Sequence, residues 1–83
     1  MGEVIRKFMQ LNGKLATIIL EHCWFGVQQF VAEQVNVIED ADRLGVVLHG
    51  QDKFVYKNRL QFMDMRDGIV EFADDKLKIL IKF

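Results

Sequence analysis

Two histidines and one cysteine are the side chains of this chain best suited to metal or nucleophilic chemistry. His22 and Cys23 are adjacent, and His49 follows much later; zinc sites and Cys/His dyads both use these residue types. A structural zinc site usually takes four ligands at paired spacings, and neighbours on a strand point to opposite faces. The spacing therefore predicts no metal site, with Cys23 a buried small apolar residue and His22 its surface neighbour.

Aspartates form the second group with a possible chemical role, because paired carboxylates can do acid/base work or bind a cation. The residues concerned are Asp40, Asp42, Asp52, Asp64 and Asp67. Turns collect aspartate for another reason, since its carboxylate accepts hydrogen bonds from nearby backbone N–H groups. No glycine-rich phosphate loop or nucleophile motif accompanies them. We expect no catalytic residue, no cofactor and no enzymatic activity.

A basic segment with aromatic neighbours follows in the middle of the chain. If it is one extended strand, a single face carries Lys53, Val55, Lys57 and Arg59. Such a row suits contacts with phosphates, above all where a ring of subunits repeats it around an axis. A solvated strand face is the alternative interpretation.

The adjacent aromatic residues Trp24 and Phe25 have two interpretations. Large aromatic side chains usually supply core packing in a chain of this size, and we expect that role for them. The alternative is an exposed anchor for a protein partner, because tryptophan is enriched among the residues that dominate binding energy.

These residues must be positioned by one helix and several strands. Val4, Ile5 and Phe8 recur at helical spacing, and Asn12-Gly13 offers a left-handed stop, which predicts a short amphipathic helix over residues 3–12.

From Lys14 onward, β-branched and aromatic segments recur at short intervals, which is typical of strands. The segment 22–34 fits either element, and a strand from Gln28 is favoured.

Polar breaks at 40–43 and 50–53 predict successive antiparallel hairpins, and Asp67-Gly68 is the sharpest turn signal. After Asp74-Asp75 the chain ends in an alternating strand. Its apolar face carries Leu77, Ile79 and Ile81, which we expect to form an edge that pairs with a neighbouring subunit. A helix followed by six or so short strands is best closed as a small barrel.

Length and charge limit the class of protein. Eighty-three residues with 51% hydrophobic composition, seven Phe and no Pro predict one folded domain over residues 1–83. A net charge of -1 gives no overall attraction for nucleic acid, so any RNA site must be local. A single cysteine favours a reducing, cytoplasmic location, and the apolar runs are too short to span a membrane.

The stretch from Ile38 to Gln61 resembles the Sm-like family, and in particular its bacterial Hfq-like RNA chaperones. The resemblance rests on Asp42 in an acidic turn, the apolar run Val-Val-Leu at 46–48 and the Tyr-Lys-Asn step at 56–58. It implies a mainly β fold in which a short N-terminal helix precedes a small, bent antiparallel barrel, Sm-like or SH3-like.

The same resemblance implies a non-enzymatic homo-oligomeric ring that binds single-stranded RNA. The implied contacts are Tyr56, Lys57, Asn58 and Arg59. Asn58 stands where the family carries a histidine, and Leu44 where it carries a base-stacking aromatic residue. The alternative is a homo-oligomeric protein-interaction or assembly module, of phage or accessory-gene origin, that binds through Trp24 and Phe25 and not through RNA.

Overall fold

The computed structural model describes residues 2–83, which form one α-helix, eight β-strands and a short 3-10 turn. The elements are α1 (Gly2–Met9), β1 (Ala16–His22), β2 (Gly26–Ala32), β3 (Asn36–Glu39), β4 (Arg43–Leu48), β5 (Gln51–Tyr56), the 3-10 turn (Lys57–Arg59), β6 (Phe62–Arg66), β7 (Ile69–Ala73) and β8 (Leu77–Lys82). The mainly β class with a short N-terminal helix is confirmed.

The strands form two antiparallel sheets. The first has five strands in the order β2-β1-β8-β7-β6, and the second has three in the order β3-β4-β5. No ladder joins the two sheets within residues 2–83, so closure into a barrel stays a prediction. Each sheet consequently has two edge strands.

Helix α1 is shorter than predicted. It ends at Met9 rather than at residue 12, and residues 10–13 continue as turns in which the Leu11 N–H donates to the Phe8 carbonyl at 3.1 Å. Gly13 adopts a left-handed conformation with φ of +87°, as the Asn-Gly signal predicts.

The ambiguous segment after β1 is a strand, as favoured, although it begins two residues earlier than predicted. A turn over residues 23–25 connects β1 to β2, and the register pairs Ala16 with Ala32. Cys23 lies in this turn and is exposed, so its predicted burial is wrong. Cys23 follows the last residue of β1, and its N–H donates to the Lys76 carbonyl at 3.0 Å, so it lies in a connection and not in the strand face that packs on the core.

Strand β8 is an interior strand, and its predicted role as an edge is wrong. It pairs with β1 on one side and with β7 on the other, so both of its backbone edges are occupied. Ile79 and Ile81 are fully buried, and Leu77 packs against the core. An alternating apolar face shows that a strand contacts the core, but it does not show whether the strand has a free edge.

A single cluster of apolar side chains fills the space beneath both sheets. Its fully buried members include Phe8 from α1, Ile18 and Leu20 from β1, and Phe72 from β7. The rings of Phe8 and Phe72 meet edge to face with centroids 5.5 Å apart, a favoured aromatic geometry. This pair attaches the helix to the five-stranded sheet.

The predicted turns before β4, between β6 and β7 and before β8 are confirmed, whereas the turn predicted at 50–53 lies at 49–50 and residues 51–53 belong to β5. Asp40 precedes β4, and its Oδ1 accepts hydrogen bonds from the backbone N–H groups of Asp42 and Arg43, at 2.9 and 2.8 Å. Asp74 does the same before β8, and Gly68 has φ of +76° between β6 and β7. These hydrogen bonds from turn backbone explain why aspartate occurs at positions 40 and 74, without a role in catalysis or cation binding.

Candidate functional site

The segment Tyr56–Arg59 does not form the predicted basic strand face. Strand β5 ends at Tyr56, and Lys57–Arg59 turn into a 3-10 helix whose first N–H, that of Lys57, donates to the Asp42 carbonyl at 2.7 Å. Val55 is buried in the core. The alternation needed to align Lys53 with Lys57 and Arg59 is therefore broken, and the predicted row is wrong.

Lys57 is held by an acidic neighbour. Its Nζ lies 2.9 Å from Glu39 Oε2, and the side chains are only 31% and 22% exposed. The ammonium is therefore already partnered, and a phosphate would have to compete with Glu39 for it.

A shallow depression of about 520 Å³ lies at the start of the 3-10 turn. It is lined by Ala41, Asp42, Tyr56, Lys57 and Asn58. Tyr56 is 47% exposed and meets the ring of Phe54 edge to face, with centroids 5.2 Å apart. Leu44 is fully buried and does not reach this surface. The structure thus brings together three of the four predicted RNA contacts, beside a carboxylate.

In the acidic turn beside the depression, Asp40 and Arg43 form an ion pair. Asp40 Oδ2 accepts a hydrogen bond from Arg43 Nε at 2.8 Å, and Arg43 also approaches Asp52 at 3.5 Å. The backbone N–H of Asp42 and then the Arg43 side chain lower the pKa of Asp40. The same hydrogen bond to Asp40 raises the pKa of Arg43, whose guanidinium lies 4.9 Å from the centre of the Phe54 ring. The Arg43 side chain is thus already held by Asp40, Asp52 and the Phe54 ring.

Two negative findings apply to residues 2–83. No group of three or more His, Cys, Asp or Glu side chains lies close enough to hold a metal ion. Within these residues, no helix is both long enough and apolar enough to cross a membrane.

The most exposed apolar side chains lie elsewhere, on β2 and the turn before it. We call this the β2 edge surface and define it by Trp24, Phe25, Val27 and Val31. Trp24 is 84% exposed and Phe25 81% exposed, so their expected core packing is wrong. Val27 and Val31, 65% and 70% exposed, lie on the outer face of the sheet, while Phe30 on the opposite face packs against the core. The role of Trp24 and Phe25 as an anchor for a protein partner stays a prediction.

Strand β2 is the only edge strand within residues 2–83 that has no charged side chain. Its seven residues read Gly-Val-Gln-Gln-Phe-Val-Ala, and it pairs with β1 alone. The other edges are β3 with Glu39, β5 with Asp52 and Lys53, and β6 with Asp64 and Arg66. Charges, prolines and bulges are the usual protection of an exposed edge, and β2 has neither charge nor proline.

Several charged side chains on the outer face of the same sheet form ion pairs with one another. Lys78 Nζ lies 3.2 Å from Glu71 and 3.3 Å from Glu21, and hydrogen bonds to Glu71 first and then Glu21 raise its pKa. Arg66 pairs with Glu71 at 3.1 Å. On β2 this face carries Val27, Gln29 and Val31 and has no charge.

Trp24 and Phe25 are among the residues predicted from the sequence, whereas Val27 and Val31 are not. The sequence shows only that these two valines lie four residues apart in a segment without charged residues. This spacing became interpretable only when β2 was placed at the edge of the sheet.

These features define a small, mainly β protein with an unprotected sheet edge. No family model, no curated protein and no solved structure matches the chain. The Sm-like resemblance of residues 38–61 accordingly stays a prediction.

Proposed function

We propose that this protein is a non-catalytic protein-interaction module that binds an extended polypeptide strand along the edge of β2. The observation that carries the proposal is the uncharged, proline-free, seven-residue free edge beside two aromatic side chains more than four-fifths exposed. Main-chain hydrogen bonds give such strand addition its affinity, and alternate side chains give it specificity.

The β2 edge surface offers two kinds of contact to an added strand. Outward side chains at Val27, Gln29 and Val31 would pair with alternate residues of that strand. Trp24 and Phe25, at the end of the edge, would anchor its terminus, since their exposed rings would be desolvated on contact. An uncharged edge favours a partner strand that is uncharged and apolar at alternate positions.

A synthetic peptide tests this proposal directly. We expect a lysine-flanked strand of alternating valine and threonine to shift the emission of Trp24, the only tryptophan, to shorter wavelength in a saturable titration with dilute protein. The same peptide with its central residue replaced by proline should not bind, because proline cannot complete the ladder.

Matched variants identify the edge that binds. Val31→Lys should abolish the fluorescence shift, because it places a charge on the edge. Phe62→Lys should leave the shift intact, since Phe62 is 42% exposed on β6, the opposite edge of the same sheet. Equal binding of the proline peptide, or equal loss in the two variants, would contradict strand addition at β2.

Single-stranded RNA binding is the second candidate function. The observation that favours it is the depression bordered by exposed Tyr56 and by Asn58, with Arg59 next in the chain. Arg59 is exposed and has no ion pair within residues 2–83. A homo-oligomeric Sm-like ring would repeat this small site around an axis.

Salt-dependent binding of labelled uridine-rich RNA tests the second candidate. Arg59→Ala should weaken binding several-fold and reduce the slope of log affinity against log salt by about 0.7 per lost phosphate contact. Arg6→Ala, which removes an exposed arginine from α1, is the matched control. Identical affinities and slopes for wild type, Arg59→Ala and Arg6→Ala would exclude this site.

A further inference from the structure

We propose that the strand bound at the β2 edge is β2 of a second copy of this chain, running antiparallel, with Gln29 opposite Gln29 of the second copy. This inference rests on the proposed function and names its partner. It makes the protein a two-fold symmetric dimer in which two five-stranded sheets become one ten-stranded sheet.

The sequence of β2 is suited to two-fold pairing with itself. In the proposed register Val27 lies opposite Val31 of the second copy, and Val31 opposite its Val27. All seven residues of Gly26–Ala32 then find a partner, with Gln28 opposite Phe30 and Gly26 opposite Ala32. Such an interface is self-complementary, as a two-fold axis requires.

Other antiparallel registers of β2 with its copy give less favourable pairs of opposite side chains. Two-fold antiparallel pairing keeps outer-face residues opposite outer-face residues, so the register can move only in steps that preserve the face. One step in one direction pairs Val31 with Phe25 of the turn, and one step in the other pairs it with Gln29. Only the central register pairs both valines with valines, and cross-strand β-branched pairs stabilise a sheet.

The absence of charge on β2 also favours self-pairing. When an edge strand pairs with a copy of itself, its charged residues can lie opposite like charges, which is destabilising. Of the described edge strands, β3, β5 and β6 carry charged residues and β2 does not. No register of β2 with itself therefore places like charges opposite each other.

The exposed valines on the outer face of the sheet also favour this pairing. Val27 and Val31 lie opposite Glu21 and Thr17 of β1 and are 65% and 70% exposed. Pairing two copies brings Val27 of each against Val31 of the other and shields these side chains from water.

Disulfide formation between engineered cysteines tests the register of the proposed β2–β2 pairing. In a Cys23→Ser background, Gln29→Cys should form a disulfide-linked dimer in most of the protein under mild oxidation. Residues directly opposite in an antiparallel pair have Cα atoms about 4.5–5.5 Å apart, within disulfide range. Val27→Cys alone should not cross-link, because its own copy lies roughly 13 Å away along the strand.

Mixing two variants completes the test. An equimolar mixture of Val27→Cys and Val31→Cys should give the mixed disulfide, since these positions lie opposite each other. Sedimentation of the unmodified protein should show a dimer, and Val31→Lys should return it to a monomer.

The outcomes separate this inference from the proposed function. A monomer in sedimentation without Gln29→Cys cross-linking overturns self-pairing, and a dimer that cross-links through Val27→Cys alone overturns the register. For a monomer, the strand-peptide titration decides the proposed function independently. A monomer that binds the peptide keeps strand addition, and a monomer that does not loses both.

Discussion

Gly45→Ala is expected to lower the free energy of unfolding by about 3 kcal/mol or more, although it adds one methyl group. Gly45 lies in the middle of β4, opposite Phe54 of β5 and Ile38 of β3. A Cβ built on Gly45 meets the backbone carbonyl oxygen of Lys53 and lies 2.6 Å from both Cα and Cβ of Phe54.

The obstacle at Gly45 is backbone, and this sets the size of the effect. A flexible side chain moves aside at small cost, but the Lys53 carbonyl and the Phe54 Cα move only if β4 and β5 separate. These strands carry buried Leu44, Val46 and Val55, so separation also loosens the core beneath the three-stranded sheet. A strand glycine at a close backbone approach is the expected solution to this geometry.

Urea unfolding of Gly45→Ala beside Gly2→Ala measures the effect. Nothing lies within 4 Å of a Cβ built on Gly2, so that variant should unfold within about 0.5 kcal/mol of wild type. The Gly45→Ala midpoint should fall, and its melting temperature should drop by roughly 12 °C or more. Near-identical curves for the two variants would show that β4 and β5 do not approach as described.

Local pattern predicted the elements of this fold better than their arrangement. The Asp-Gly turn before β7, the polar break at 40–43 and the helical spacing of Phe8 are all set by nearby residues. Pairing of β1 with β8 is set by residues far apart in sequence, such as Ile18 and Ile81. This pairing places β8 inside the sheet and leaves β2 at its edge.

The candidate surfaces depend on the same long-range pairing. The Lys57 N–H donates to the carbonyl of Asp42, its partner across the β4–β5 hairpin, and the chain then turns into the 3-10 helix, in which the Leu60 N–H donates to the Lys57 carbonyl. Trp24 is exposed because it occupies a turn between two paired strands, whereas its residue type favours burial. Sequence therefore identified the residues of both surfaces more readily than their exposure.

The charged edge strands show that both the sequence and the sheet order are needed to recognise a protected edge. Charged residues on β3, β5 and β6 are visible in the sequence, but they become edge protection only after the sheet order is known. The uncharged segment Gly26–Ala32 gains its significance in the same way. The proposed function depends on the difference in charge between β2 and the other three edge strands, and no single segment shows that difference.

Phe8→Ala should destabilise the protein by about 3–5 kcal/mol, because it removes a fully buried ring and leaves a cavity. Phe8 is the one buried residue of α1, and its edge-to-face contact with Phe72 joins the helix to the five-stranded sheet. Losing it should therefore release the helix as well as weaken the core.

Met9→Ala is the matched control for this variant. Met9 is the next residue of the same helix and is 40% exposed, so its truncation should cost within about 1 kcal/mol. Urea unfolding gives both free energies, and far-ultraviolet circular dichroism below the transition reports whether α1 stays formed. If Phe8→Ala and Met9→Ala unfold at the same urea concentration, Phe8 does not occupy the core, and the helix is not attached through Phe72.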